Sequence, residues 1–232
     1  MKKKVVKRIT VLIAVLLFLG TVFGICNYFN LIPKSVYYGK DFGIKTAKSN
    51  IDFNSNGIDD YTDILHGARQ DAENHPKYDG AYSNGGFPPD NIGVCTDVIW
   101  RAFKNAGYNL REMVHNDIII RKGAYSAITK PDKNIDFRRE GNLRVCFEKY
   151  ALCLTNDTTQ IDQWQPGDIV IFSDNDHIGI VSDKRARNGQ TYIIHNGGQP
   201  KREEDYLKRG IVTGHYRFDA TRVPETILVK WE

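Results

Sequence analysis

One thiol and two imidazoles in this chain could supply a nucleophile, a base and an orienting group: Cys95, His177 and His195. An imidazole that takes or shares a thiol proton gives a sulfur nucleophile at neutral pH, and a third polar group fixes the tautomer of that imidazole. Backbone amides at a helix start, including that of Cys95, could bind the oxyanion of an acyl-transfer intermediate. Each residue alone carries little weight, because a free cysteine commonly serves as a small core hydrophobe. Their joint occurrence in this order makes the surrounding elements decisive.

From Cys95 the apolar residues fall at Cys95, Val98, Ile99, Ala102, Phe103 and Ala106, one face of a helix. Gly107 stands where a left-handed residue would stop it. Pro88, Pro89, Asp90 and Asn91 prevent the helix from running backwards, so Cys95 falls in or just before the first turn. There the free amides and the positive end of the dipole favour a thiolate. Helices are also predicted over 62–73, with Ile64, Leu65, Ala68 and Ala72 inward, and over 142–152. Between them, 74–91 is a loop rich in Gly, Pro and Tyr that could line a groove, and 108–141 carries polar residues around short apolar patches.

After Trp164 the periodicity changes to that of strands, with a turn at 165–168 and an apolar run at 169–172. Two β-branched runs, 176–182 and 191–196, flank the turn pair Asn188 and Gly189 and read as an antiparallel hairpin. Pairing Ser182 with Gln190 sets His177 opposite His195, within hydrogen-bonding reach. A one-residue slip would put Asn196 there instead. Further strands are expected at 211–218 and 227–231, which gives an α+β chain.

The net charge of +4 is carried by the first residues. Lys2, Lys3, Lys4, Lys7 and Arg8 supply five positive charges, which leaves the remainder at −1. With no basic stripe interleaved with aromatics, nothing points to nucleic acid. Residues 9–32 contain no charged side chain. As a helix they would cover about 36 Å, enough for a hydrocarbon core of about 30 Å. The basic cluster predicts that the N-terminus stays in the cytoplasm and the body lies outside, on a transmembrane anchor over 1–32. A signal peptide cleaved near Val22, Phe23 and Gly24 is the alternative, and either leaves the body extracytoplasmic.

Of the four cysteines, Cys26 would lie in the anchor. Cys146 and Cys153, seven residues apart on an expected helix, would be about 10.5 Å apart at Cα, beyond the ~7 Å a bridge tolerates. They are read as core residues, which leaves Cys95 unpaired. Residues 33–50 read as a linker. At 51–63, Asp52, Asn54, Asn56, the Ile58 carbonyl, Asp60 and Asp63 resemble the ligand set of an EF-hand-like Ca2+ loop, with Gly57 at its turn and Asp63 where a Glu is usual. The alternative is an Asx-rich turn capping the next helix. Arg138 and Arg139 could clamp a substrate carboxylate.

These motifs support a resemblance. GVCTDV (93–98), PGDIV (166–170), HIGIV (177–181) and IHN (194–196) look like the NlpC-type cell-wall endopeptidases of the papain-like clan. More closely, 60–220 resembles a bacterial family catalogued only as a domain of unknown function, with NIDFRR (134–139), WQPGDIV (164–170), HIGIVSD (177–183) and TGHYR (213–217) in order. The resemblance implies a papain-like (NlpC-type) α+β fold over 62–232, with the Cys helix packed on a small antiparallel sheet. It maps the nucleophile on Cys95, the base on His177 and the orienting group on His195. The implied activity is a thiol hydrolase acting on peptidoglycan or a cell-wall peptide, without an organic cofactor. A catalytically silent wall- or partner-binding domain is the alternative. The endopeptidases place an Asp before the nucleophile to bind the substrate amine, and here that position is Val94. The amine contact would then fall to Asp97 or Asp136.

Overall fold

In the computed structural model, which describes residues 2–172 and 177–232, the apolar N-terminal run forms one helix, α1 (Lys2–Tyr28). Its stretch Val6–Tyr28 has a mean hydropathy of 2.7 and an unburied apolar window. It is therefore apolar and long enough to cross a membrane or to act as a signal sequence. The helix ends at Asn30, whose left-handed φ of 52° closes it.

Residues 33–50 do not hang free as a linker. Tyr37 and Arg185 exchange backbone hydrogen bonds of 3.0 and 2.7 Å. The Ala47 amide donates to Gln165 Oε1 (3.0 Å), and the Ser49 amide donates to Asp59 (3.1 Å). These contacts involve mostly backbone groups, so they leave no hydrophobic period in the sequence.

The loop at 52–59 is closed by its own hydrogen bonds. Asp52 accepts from the amides of Asn56 (3.0 Å) and Gly57 (2.8 Å). Asn54 and Asn56 turn their oxygens onto the amides of Asn56 and Ile58, so their nitrogens, not their oxygens, face Asp63. Asp60 points into the core, accepting from the Phe53 amide and the Tyr108 hydroxyl. As folded, this donor set does not fit the cation cage expected for it, and among the described residues no group of three or more His, Cys, Asp or Glu is placed to hold a metal. The arrangement is an Asx-turn series that leads into α2 (Asp60–Asn74), capped by the Asp59 side chain on the Thr62 amide.

Two short parallel strands, β1 (Lys77–Tyr78) and β2 (Ile92–Gly93), bracket the loop before α3 (Cys95–Asn105). Helix α3 ends as its sequence predicts. Gly107 has φ 88°, its amide reaches the Lys104 carbonyl, and the Tyr108 amide reaches Phe103. This pair of bonds is the Schellman arrangement, which a residue with a Cβ adopts only under strain.

Helix α4 (Leu110–Ile120) lies in a region read as irregular. Its buried stripe includes Asp117, which accepts from Arg121, Tyr125 and Tyr150, while Ile119 and Ile120 are exposed. That inversion of polarity hid the helix. Next come α5 (Glu140–Tyr150) and β3 (Ala151–Cys153). The chain is therefore already strand at Cys153, which is exposed rather than in the core, while Cys146 is buried.

Strands β4 (Ile169–Phe172), β5 (His177–Arg185), β6 (Thr191–Ile194), β7 (Glu203–Glu204) and β8 (Val212–Phe218) complete a six-stranded antiparallel sheet in the order β3-β8-β4-β5-β6-β7. Asp176, expected to open the hairpin, lies outside the described residues. The expected strand at 227–231 reduces to a single bridge between Tyr108 and Lys230. Alternation divides the sheet into two faces. Ile169, Ile171, Ile178, Ile180 and Ile194 join Val98, Ile99 and Phe103 of α3 in the main core, while Val170, Phe172, Val181 and Ile193 pack with Trp164 and Leu207. Each fully buried aliphatic side chain stabilises the fold by about 1.5–3 kcal/mol. The Cys helix is thus laid across the strand that carries His177.

Candidate active site

Cys95 is the first residue of α3, and the start of that helix is fixed by Asp97. Val94, in the N-cap position, has no side-chain acceptor, so the Asp97 carboxylate reaches back to the Val94 amide (2.8 Å). The same carboxylate accepts from Trp100 Nε1 (2.7 Å) and from Arg138 Nε and Nη2 (2.7 and 2.9 Å). Arg138 further donates to the Ala81 carbonyl (3.1 Å), and its own carbonyl accepts from Thr96 Oγ1 (3.0 Å). Both charged side chains are inside the protein, at 0% and 1% exposure. They set the start of the Cys95 helix and are closed off from solvent.

Asp136 is also turned inward, with Oδ2 accepting from the Asp132 amide (2.7 Å), and burial raises its pKa. Arg139 stays exposed beside a cleft of about 590 Å³ that His115, Lys130 and Lys133 also line. The two adjacent arginines therefore point to different environments and form no common clamp.

The imidazoles come together. Ile180 pairs with Ile194, a register two residues away from the expected one, because the hairpin is irregular between Val181 and Arg185. A shift of two keeps the facing of every side chain. His177 and His195 therefore meet on one face diagonally, His177 Nε2 lying 2.6 Å from His195 Nδ1. Gly179 makes room for this approach, since a Cβ there would come within 2.6 Å of Ile193 Cγ2 and 2.9 Å of the Ile194 carbonyl. The Cys95 thiol lies against the amide of Ile178, the residue after His177.

The line continues to a residue that no sequence signal singled out. His195 Nε2 lies 3.2 Å from Glu204 Oε1. Burial alone would raise the Glu204 pKa, but hydrogen bonds from His195 and Asn30 and the charge of Arg209 hold it below the usual range. An ionised Glu204 only accepts, so His195 carries its proton on Nε2 and offers the bare Nδ1 to His177 Nε2–H. His177 Nδ1 is then the unprotonated ring atom. Gln199 Nε2 is 3.3 and 3.2 Å from the two nitrogens of His195 and donates to the His195 carbonyl (3.0 Å). Asn196 takes no part in the line. It donates to the Gly93 carbonyl (2.9 Å) and ties the hairpin to the strand entering α3.

Burial dominates the electrostatics. It pushes the Cys95 thiol up to about 11, with the amides of Ile178 and Thr96 opposing only in part. Burial, and then the neighbouring His195, push His177 down to about 3. His195 is lowered by burial despite Glu204. Burial thus favours the thiol over the thiolate expected from the helix dipole, and the neutral form of His177. Tyr78, Gly197 and Gly198 border the site: the Tyr78 hydroxyl is influenced by Cys95, and a Cβ on Gly197 would sit 3.5 Å from His177 Cε1.

The motif residues Trp164, Asp168, His215 and Arg217 form a separate cluster. Asp168 binds His215 Nε2 (2.9 Å) and Arg217 Nε (2.7 Å), and Trp164 stacks on His215 at 3.9 Å. This cluster holds β4 against β8 and takes no part in the line.

Two outcomes follow for stability. Arg138→Met leaves the Asp97 charge buried and unpaired, so urea unfolding should show a loss of about 3–5 kcal/mol, against within about 0.5 kcal/mol for Arg139→Met. Equal losses would contradict the assignment of Arg138. Below pH 6.5 the unfolded chain binds protons that His177, held near 3, refuses in the folded state. Stability should therefore fall as the pH drops from 6.5 towards 3, by about 1.4 kcal/mol per pH unit for each such imidazole. Denaturant melts of the wild type and of His177→Gln should differ in that slope, and identical slopes would count against a neutral buried His177.

Residues 65–218 match the family model described as a domain of unknown function, DUF1287. The uncharacterized protein YijF of Escherichia coli (strain K12) is 38% identical over 165 residues, 67% of this chain and 80% of that protein. No solved structure matches the chain. The matched region runs from α2 to the end of β8 and contains Cys95, His177, His195 and Glu204. On these matches the chain belongs to the DUF1287 family.

Proposed function

We propose that this protein is a thiol hydrolase of the amidase or endopeptidase class, acting outside the cytoplasm on a cell-wall peptide or a related amide. The observation that carries the proposal is the buried hydrogen-bonded line from Glu204 through His195 to His177, together with the Cys95 thiol lying against the amide of Ile178, the next residue along the strand. A papain-like arrangement, as in the NlpC-type endopeptidases, accounts for the order of these residues.

In the resting state Cys95 keeps its proton and His177 Nδ1 its lone pair. As Sγ attacks the substrate carbonyl carbon, the thiol proton passes to His177 Nδ1 and the C–S bond forms. The carbonyl oxygen, now negative, is received by the Cys95 amide at the start of α3. The imidazolium donates from Nε2 to His195, whose own Nε2–H remains on Glu204, so the new positive charge faces a fixed negative one. His177 then gives its proton to the departing nitrogen as the C–N bond breaks, leaving a thioester. Water, deprotonated by the same Nδ1, attacks the thioester carbon and returns the thiol. Coupling proton transfer to attack suits a thiol that burial keeps protonated.

The catalytically silent binding domain is the second reading, favoured by one observation: Cys95 is only 8% exposed and its thiol is pushed up to about 11. Full-length protein in detergent, its Cys95→Ala variant and its Glu204→Gln variant are to be incubated with isolated cell wall and with simple peptides. Mass spectrometry of the products should show cleavage that disappears with Cys95→Ala and falls about 10²-fold or more with Glu204→Gln. Wall binding without any Cys95-dependent product would establish the binding domain instead.

A further inference from the structure

We infer that the segment leaving the N-terminal helix is a working part of the histidine line, with Asn30 as a positioning residue for Glu204. The kinetic part of this inference rests on the hydrolase reading, and the structural part does not.

Asn30 is only 6% exposed although it lies two residues beyond the membrane-type helix. Its Nδ2 donates to Glu204 Oε2 at 2.6 Å, across 174 residues of sequence. Its Oδ1 accepts from Lys34 Nζ (2.8 Å), which fixes which end of the amide faces the carboxylate. The other carboxylate oxygen is tied to the same segment indirectly. Arg209 Nη2 lies 2.5 Å from Glu204 Oε1, while its Nη1 donates to the Tyr28 carbonyl (2.8 Å). The guanidinium also lies 5.2 Å from the ring centre of Tyr28 and 4.8 Å from that of Tyr206. Tyr206 in turn packs on His195, their ring centres 4.3 Å apart.

Both oxygens of Glu204 are therefore held by groups that bind the end of α1. A carboxylate at 1% exposure depends on such donors to stay ionised. Its ionisation sets the tautomers of both imidazoles. Displacing the helix end removes one donor and loosens the ion pair with Arg209, and the preference for the Nε2–H form of His195 weakens. The same geometry keeps the site within a few side chains of the point where α1 ends. An anchored protein would thus hold Cys95 at the membrane face and act on a membrane-proximal amide. Cleavage near Gly24 would leave Asn30 in place, whereas a fragment beginning at residue 33 would lack it.

Asn30 also closes α1 in a left-handed conformation, with its amide on the Asn27 carbonyl and that of Leu31 on Cys26. The test must separate that backbone role from the side-chain role. Asn30→Gly keeps the backbone permissive and removes the donor, and Asn30→Asp keeps the shape but sets a carboxylate against Glu204. Full-length protein in nanodiscs, labelled with 15N histidine, reports each ring tautomer directly by its nitrogen shifts. The wild type should show His195 as Nε2–H alone. Asn30→Gly should show a mixture with Nδ1–H, and Asn30→Asp a raised His195 titration. Cys95-dependent turnover should fall about tenfold in kcat for Asn30→Gly and further for Asn30→Asp, with KM little changed. If both variants keep the wild-type tautomer and pH profile, Asn30 is a turn residue and the inference fails. If no protein turns over substrate, the hydrolase reading fails, and the nitrogen shifts still decide the role of Asn30.

Discussion

A carboxylate buried to 1% exposure cannot remain charged without partners, and the partners of Glu204 define this molecule's site. One oxygen takes His195 and the Arg209 guanidinium, and the other takes Asn30. That constraint passes outward one hydrogen bond at a time, because a neutral imidazole that donates from one nitrogen must accept at the other. His195 and His177 are thereby oriented in series, and the lone pair on His177 Nδ1 is the end of the chain. On the neighbouring position Glu203 faces the other way, bound by Ser182, Arg69 and Lys184. Strand alternation sends one of two adjacent acids to the surface network and the other to the imidazoles.

The second organising interaction is the buried Asp97–Arg138 pair, which fixes where α3 begins and so where the thiol stands. A pair of this kind contributes little net stability over apolar residues of the same size, but losing one partner is costly. Its role is positional. Arg138 also reaches the Ala81 carbonyl, so one side chain aligns the Cys95 helix and the loop before it. The same desolvation that makes these pairs specific keeps Cys95 and His177 neutral at rest.

What the sequence revealed depended on the range of the interactions. The face of α3 was legible because its period is unbroken from Cys95 to Ala106, and its stop was legible because Gly107 alone suits φ 88°. The hairpin was legible in facing but not in register, since the irregularity between Val181 and Arg185 is set by contacts such as Tyr37 on Arg185. Helix α4 was hidden by Asp117, whose burial depends on Tyr150, 33 residues away. Arg138 read as half of a substrate clamp because its partner lies 41 residues upstream, and Glu204 carried no signal because Asn30 lies 174 residues from it. Charges satisfied at long range look like solvated charges in a sequence. The shared facing of His177 and His195 was legible, whereas the groups that bind them at long range were not.

Burial, rather than charge, dominates the resting state of both Cys95 and His177. The ultraviolet thiolate absorbance of full-length protein, taken as the difference from Cys95→Ser across pH, measures that state. The account predicts no thiolate signal from Cys95 at neutral pH and a rise only as the pH approaches about 11. A thiolate signal already present at pH 7, lost in His177→Ala, would reveal a preformed ion pair and contradict it.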